Sequence, residues 1–419
     1  MFMVILNRNV ELEKISTAGP WIYICGRRKT GKTFFVKNFL KWDEYFFVRR
    51  DGTIFDKDSK EISYETFFEV FKEIIGRKRI IIDEFHRLPE KFFDYLHFLG
   101  IKGNLIVISS TLWFSKKLLG SGSPLVGLFS LVIFSLVDER DVILSLKNLR
   151  NRELIETSIY LREPLLAKNY KPPLRKYVAG FLNENKLSIR EIMGEIFEEE
   201  ERKLSEIYEG IMRAIASGKN ISTEISSYLF SKKLISKDNP GYVQRYLDNL
   251  VRMGILEKLE IWNKNKFRYF HISPVFDLHF YLDEKYGYIE NDIPKNFIER
   301  VIEAKIPFHV EQFFRNLLSK LFGMKKVVIE DPEIDIAFTE FKKLKVIAEV
   351  KWKKRISKRE IETIEEKLNK FKHVKKYLIV PEKNVLERKP RNIEVLDVEK
   401  ILRMIKTKNK VIVQSRKLQ

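Results

Sequence analysis

Trp21-Ile22-Tyr23-Ile24-Cys25-Gly26-Arg27-Arg28-Lys29-Thr30-Gly31-Lys32-Thr33 is the stretch on which the reading of this chain turns. Its first five residues are apolar without alternation, the pattern of a strand buried on both faces, as in parallel sheets. The next eight have the spacing Gly-x-x-x-x-Gly-Lys-Thr of a phosphate-binding P-loop. Gly26 and Gly31 let the backbone wrap closely, and backbone N–H groups with the N-terminus of the helix opened by Lys32-Thr33 supply positive potential. Lys32 is expected to reach the β- and γ-phosphates of a nucleotide, and the Thr33 hydroxyl to bind Mg2+. Candidate nucleotide contacts run unbroken from Gly26 through Arg27, Arg28, Lys29, Thr30, Gly31, Lys32 and Thr33 to Phe34.

A second apolar run, Arg79-Ile80-Ile81-Ile82-Asp83-Glu84, ends in two carboxylates. Asp83 is expected to hold Mg2+ through water, and Glu84 to polarise the attacking water, the general-base role that separates hydrolysis from binding. Lys32 and Glu84 are therefore the candidate catalytic pair. His86 and Arg87 follow as switch or rim residues. Asn104 to Ser109 is a further strand, and Ser110 and Thr111 after it are either sensors of the γ-phosphate or caps of the next helix. The apolar stretch Leu118 to Val137 is broken by Gly120, Ser121, Gly122, Ser123 and Pro124, so it reads as a loop and a buried strand over Leu131 to Val137 rather than a membrane span.

Gly-Arg-Arg-Lys-Thr-Gly-Lys-Thr, Ile-Ile-Asp-Glu-Phe and Ile-Ser-Ser-Thr together resemble the archaeal branch of the signal-transduction ATPases with numerous domains (STAND), a relative of the wider AAA-type group. Leu161-Arg162-Glu163-Pro164 looks like that family's motif after the ATPase core. The resemblance implies ATP rather than GTP, a helical lid near the nucleotide, and Arg162 as a phosphate sensor; the alternative is a surface ion pair followed by a turn.

Residues 1–140 are thus read as the ATPase core and 141–206 as the helical lid. Over 207–285 come three helices, the third opened by Asn239-Pro240, and a hairpin with the basic tip Asn263-Lys264-Asn265-Lys266. This order resembles a winged helix–turn–helix. The resemblance puts Arg245 and Arg252 in a DNA groove and Lys264 and Lys266 on phosphates, unless the unit is an interdomain spacer. Asp248 can pair with Arg245 or Arg252.

Tyr286 to Lys295 reads as a linker. In residues 295–419 an amphipathic helix over Phe308 to Leu321 carries Glu311. The strand Ile334-Asp335-Ile336-Ala337-Phe338 follows, and a third strand bears Glu349 and Lys351, which share a face because they are two apart. The order of helix, strands, helix and strand resembles the PD-(D/E)xK restriction-endonuclease-like superfamily. That resemblance makes Asp335 and Glu349 ligands of Mg2+ or Mn2+, Lys351 the residue that activates water, and Glu349 with Lys351 a second candidate catalytic pair. A degenerate core of this kind would still bind nucleic acid through Lys353, Lys354, Arg355, Lys358 and Arg359.

The 419 residues carry 78 Lys and Arg against 58 Asp and Glu, a net charge of +20. A surplus of this size favours a polyanion, foremost DNA, over a merely ion-rich thermophile surface, where the signs balance. The single cysteine, Cys25, excludes an intrachain disulfide and a cysteine zinc site, and fits the cytoplasm. The expectation is an α/β protein: a P-loop parallel sheet, lid, winged helix and nuclease-like domain, forming an ATP-hydrolysing, DNA-associated switch with no membrane partner. A homo-oligomer is compatible with this reading. A non-cleaving, nucleotide-controlled DNA-binding scaffold is the alternative.

Overall fold

The computed structural model describes residues 4–111, 123–199 and 205–416. β1 (Trp21–Cys25), β2 (Glu44–Val48), β3 (Ile54–Phe55), β4 (Glu61–Ile62), β5 (Arg79–Asp83), β6 (Asn104–Ser109) and β7 (Ser130–Ile133) form a seven-stranded sheet in the order β4-β3-β2-β5-β6-β1-β7. From β2 to β7 every pairing is parallel, and β3 and β4 extend one edge antiparallel. Both faces are covered, which is why the central strands are apolar at every position. Along β1, Ile22 and Ile24 pack with Phe35, Val36 and Phe134 on one side. Trp21, Tyr23 and Cys25 pack with Phe67, Phe85 and Phe92 on the other. Residues 118–122 of the expected loop lie outside the described residues. The strand expected over Leu131 to Val137 is shorter, because the chain leaves the sheet after Ile133.

The order of strands positions the chemistry. β6 lies between β1, which feeds the P-loop, and β5, which ends at Asp83. All three are parallel, so Gly26, Glu84 and Ser110 emerge at the same sheet edge, the carboxyl end where open α/β sheets bind ligands.

Beyond Asp138 the chain is helical: Glu139–Ser145, Asn151–Leu161, Pro164–Ala167, Leu174–Glu184 and Lys186–Glu199, then Glu206–Ala216, Ser222–Ser231 and Pro240–Arg252. β8 (Leu256–Ile261) and β9 (Phe267–His271) make the expected hairpin. It does not stand alone. β8 pairs parallel with β10 (Lys325–Glu330), so the hairpin is the edge of a second sheet in the order β14-β13-β12-β11-β10-β8-β9. Its other members are β11 (Glu333–Glu340), β12 (Lys343–Val350), β13 (Lys375–Ile379) and β14 (Glu394–Leu396).

Two expectations change here. The segment read as a linker holds Tyr288, which is buried and bonded through its hydroxyl to His279. The helix read over Phe308 to Leu321 runs from Lys295 to Phe322 and passes through Pro307. Gly, Asn, Asp and Pro signalled a turn correctly, but a turn signal says nothing about what packs on it. One apolar cluster joins the helices after Asp138, the hairpin region and the second sheet, from Val137 to Ile405.

Candidate functional site

Gly26 is held at φ +152°, where an added Cβ would sit 2.0 Å from the carbonyl oxygen of Phe134, so only glycine lets the loop pass. Gly31 has φ +83° and caps the helix Lys32–Phe39 from the left-handed region. The Lys32 ammonium donates to the carbonyls of Gly26 (2.7 Å) and Arg27 (2.9 Å). The Thr33 hydroxyl donates to Asp83 at 2.7 Å, and the Tyr45 hydroxyl donates to the same carboxylate oxygen at 2.7 Å.

Glu84 occupies the left-handed region (φ 58°), which a non-glycine residue adopts only when its surroundings hold it there. Its carboxylate accepts from Ser110 at 3.0 Å, with Arg87 at 3.6 Å and His86 at 3.5 Å. Burial, then Arg87 and Lys32, push His86 down to about 3, so that imidazole is neutral. Glu84, Arg87 and Ser110 line a cavity of 790 Å³ together with Lys29, Gly31, Lys32 and Thr33. Thr111 is buried behind, its N–H on Ser109 at 3.3 Å. Arg49 and Arg50 line the same cavity. The sequence reading missed them; the available signal was their place just after the C-terminal end of a parallel strand.

Arg162 does not line this cavity. Its guanidinium lies 2.7 Å from Glu139 and donates to the carbonyl of Val137 at 2.8 Å. The neighbouring Glu163, fully buried, is the residue of that motif that reaches the P-loop. It holds Arg27 at 2.5 Å and accepts from Ser273, just before the helix Pro274–Tyr286, at 2.8 Å. The same stretch also reaches the C-terminal region. Tyr160 bonds His309 at 3.0 Å, and Glu156 accepts from the indole of Trp352 at 2.9 Å. Trp352 directly follows Lys351, so one short run of backbone touches both sets of candidate residues.

In the second sheet Ile336 pairs with Ala348. One step further along that antiparallel register, Asp335 and Glu349 are neighbours. Asp335 accepts from the Val350 N–H at 2.8 Å. Glu349, 1% exposed, has Lys367 at 2.6 Å and Lys351 at 3.4 Å. Burial and then Asp335 raise the Glu349 carboxyl, and the same two causes push Glu311 up to about 8. Among the described residues no group of three or more His, Cys, Asp or Glu is arranged to hold a metal ion. The carboxylates expected to hold Mg2+ or Mn2+, Asp335 and Glu349, thus stand side by side, with Lys351 and Lys367 on Glu349. Lys367, on the helix Lys358–Asn369, supplies the positive charge that a metal would bring, and nothing in the local sequence marks it.

On the helix Pro240–Arg252, Arg245 and Arg252 are exposed. Arg245 lies over the rings of Tyr242 (4.4 Å) and Tyr246 (4.8 Å). Asp248 pairs with neither arginine; it is 3.2 Å from Lys258. Lys264 pairs with Glu330 at 2.7 Å, while Lys266 is exposed. Beside Lys351, Lys353 pairs with Glu360 and Arg355 with Glu387, both at 2.7 Å.

Residues 18–136 match the family model described as an AAA domain. This part of the chain is an AAA-type P-loop domain. No curated protein matches the chain. Among solved structures, it is similar to the Aeropyrum pernix ORC1 protein in complex with DNA, at 14% identity over 68% of this chain and 94% of that one, with a TM-score of 0.25. The Aeropyrum pernix ORC2 protein (13% identity, 71% and 91% covered, TM-score 0.29) and Cdc6p from Pyrobaculum aerophilum (12%, 72% and 95%, TM-score 0.24) are similar to the same extent. Among the described residues no helix is long and apolar enough to cross a membrane.

Proposed function

We propose that this chain is an ATP-binding and ATP-hydrolysing switch whose C-terminal half associates with DNA without cleaving it. The observation that supports hydrolysis is the convergence of Lys32, Thr33, Glu84 and Ser110 on one cavity at the P-loop, with the buried Asp83 bonded to Thr33. On nucleotide binding Lys32 exchanges two carbonyls for phosphate oxygens, at little cost because it stays hydrogen-bonded throughout. The Thr33 hydroxyl and Asp83 carboxylate, side by side, suit the oxygen preference of Mg2+, which when bound neutralises phosphate charge. Glu84 then turns from Ser110 to a water in line with the γ-phosphate and takes its proton.

A largely apolar cavity of 300 Å³ that reaches Thr30 and Gly31 and is lined by Val4, Leu6, Phe39, Pro164 and Ala167 suits the base. Pro164 follows Glu163, so a nucleotide that fills this cavity and the loop bears on the segment that holds Arg27, Ser273 and, one turn back, His309. That is the supporting argument for a switch. The non-cleaving reading of the C-terminal half is supported by Lys351 and Lys367 standing on Glu349, and the DNA reading by the net charge of +20.

Glu84→Gln is expected to lower phosphate release at least 100-fold while nucleotide binding persists, since a general base contributes about 10²–10⁴. Turnover within threefold of the unaltered protein would remove Glu84 from the mechanism. DNA incubated with the protein and Mg2+ or Mn2+, with and without ATP, is expected to stay intact. Cleavage that disappears in both Glu349→Ala and Lys351→Ala would overturn the non-cleaving reading.

A further inference from the structure

At one edge of the second sheet lies a groove that the ATPase chemistry does not use. It has a volume of 1130 Å³ and lies around the N-terminal ends of β13 and β14 and the loop between them. Its walls carry seven basic side chains and one carboxylate, Glu394. The excess is larger than the local pairing can absorb. Lys400 pairs with Glu394, and Lys383 is 4.0 Å from Asp397. Lys375, Lys389 and Arg391 are exposed, and none has a carboxylate within 4 Å among the described residues.

The wall is built rather than incidental. Glu365, on the helix Lys358–Asn369, takes Arg388 through two bonds of 2.8 Å and the backbone N–H of Arg391 at 2.5 Å. One carboxylate thereby fixes the loop from Arg388 to Arg391 and leaves the Lys389 and Arg391 side chains pointing to solvent. Val374, Pro390, Ile393 and Val395 line the groove between the cations.

We propose that this groove binds the sugar-phosphate backbone of DNA. A phosphodiester strand presents a regular row of single negative charges, which suits several separate cations better than one compact anion does. The apolar lining suits the sugars. No aromatic ring lines the groove, so bases are not stacked there and binding is independent of sequence. A membrane surface suits it less. The site is concave, and no exposed large hydrophobic residue lies within it to enter a lipid layer.

The groove is also separate from the Asp335 and Glu349 pair. Lys375 sits beside Val346 on β12, whereas Glu349 sits beside Leu378, three residues and roughly 10 Å further along the strands. DNA held here is anchored away from those carboxylates. This inference rests on the DNA association proposed above and gives it a surface.

The test measures affinity of the full chain for a 30-base-pair duplex of random sequence, and for one of its single strands, across a salt series. The probe proteins are the unaltered chain, K375E/K389E/R391E and the milder K375Q/K389Q/R391Q. The expected result is at least a tenfold loss of duplex affinity at about 0.1 M salt in the charge-reversed protein. The slope of log affinity against log salt should become shallower by about 2–3, near 0.9 for each phosphate that is no longer neutralised. The glutamine variant should fall between, and ATP turnover without DNA should be unchanged in both. Unaltered binding that matches in affinity and slope across all three proteins overturns the groove while leaving DNA association intact. Absence of DNA binding by the unaltered chain at 50 mM salt overturns DNA association itself. Loss of binding to phosphatidylserine vesicles with DNA binding retained overturns the choice of partner.

Discussion

The P-loop and the Asp335–Glu349 pair use the same residue types to opposite effect. At the P-loop, the lysine donates to carbonyl oxygens and the aspartate accepts from two hydroxyls. A phosphate or a cation can replace these partners without stranding a charge. In the second sheet the buried Glu349 is already answered by two ammonium groups. On the non-cleaving reading proposed above, a metal arriving there competes with Lys367 and Lys351 for that carboxylate. On the proposed reading, lysine and carboxylate act as ligand groups at the P-loop and as a structural pair at Glu349.

The largest effect should come from removing one lysine from each place. Lys32→Ala is expected to abolish measurable nucleotide binding, read with a fluorescent ATP analogue, and to leave the melting temperature nearly unchanged, because the carbonyls it bonds carry no charge. Lys367→Ala is expected to do the reverse. Nucleotide affinity stays, and stability falls by about 3 kcal/mol, the scale of breaking a buried pair. In that variant Mn2+ should now raise the melting temperature. A Lys367→Ala protein as stable as its parent would break the contrast.

A smaller effect is expected at the segment between the two regions. Glu163→Gln leaves Arg27 nearly buried without its counter-charge, 4% exposed, beside Phe276. The loss should be about 2–3 kcal/mol by chemical denaturation, together with weaker nucleotide binding, since the P-loop is no longer fixed at Arg27. Glu156→Gln, at the other end, keeps a carbonyl to accept from Trp352 but loses the pairing with Arg152 (2.6 Å) and Arg175 (2.8 Å). It should lower stability and leave nucleotide affinity alone. Equal effects of the two changes on nucleotide affinity would mean that Glu163 has no special role at the loop.

How much of this was readable beforehand follows from sequence distance. The P-loop is contiguous, and Asp83, Glu84 and Ser110 each stand at the end of an apolar run, so strand ends alone put them at one sheet edge. Glu163 and Arg27 are 136 residues apart, and in Leu161-Arg162-Glu163-Pro164 the arginine drew the attention because phosphate sensors are cationic. Lys367 sits in a helix rich in Lys and Glu, where nothing separates the one that reaches Glu349 from its neighbours. The merging of hairpin and C-terminal sheet was hidden for a related reason. β8 has a burial pattern that suits a free hairpin, and its second partner, β10, begins more than sixty residues later.

The smallest predicted effect concerns the packing that joins the two regions. Asp277 is buried, and burial alone would raise its carboxyl. His309 at 3.0 Å and Lys305 at 2.9 Å outweigh that and bring it down to about 2. The carboxylate is thus favoured in the folded state relative to the unfolded chain, where it titrates near 3.9. Its contribution is fully present above that unfolded value and is lost as pH falls through 4 toward 2. The size is about 2 kcal/mol, an order of magnitude set by roughly two units of pKa. His309 is lowered by burial, so it too disfavours the folded state as pH falls and does not reverse the sign. Melting temperatures from pH 6 to pH 2 should therefore fall more steeply in the unaltered chain than in Asp277→Asn, with the two curves converging at the acid end. Because Tyr160 bonds the far nitrogen of His309, the same acid step should loosen the lid from the long helix before the P-loop sheet melts. Tryptophan fluorescence would reveal it: Trp352 should respond at a higher pH than Trp21, and a single coincident transition would show that the two regions unfold as one.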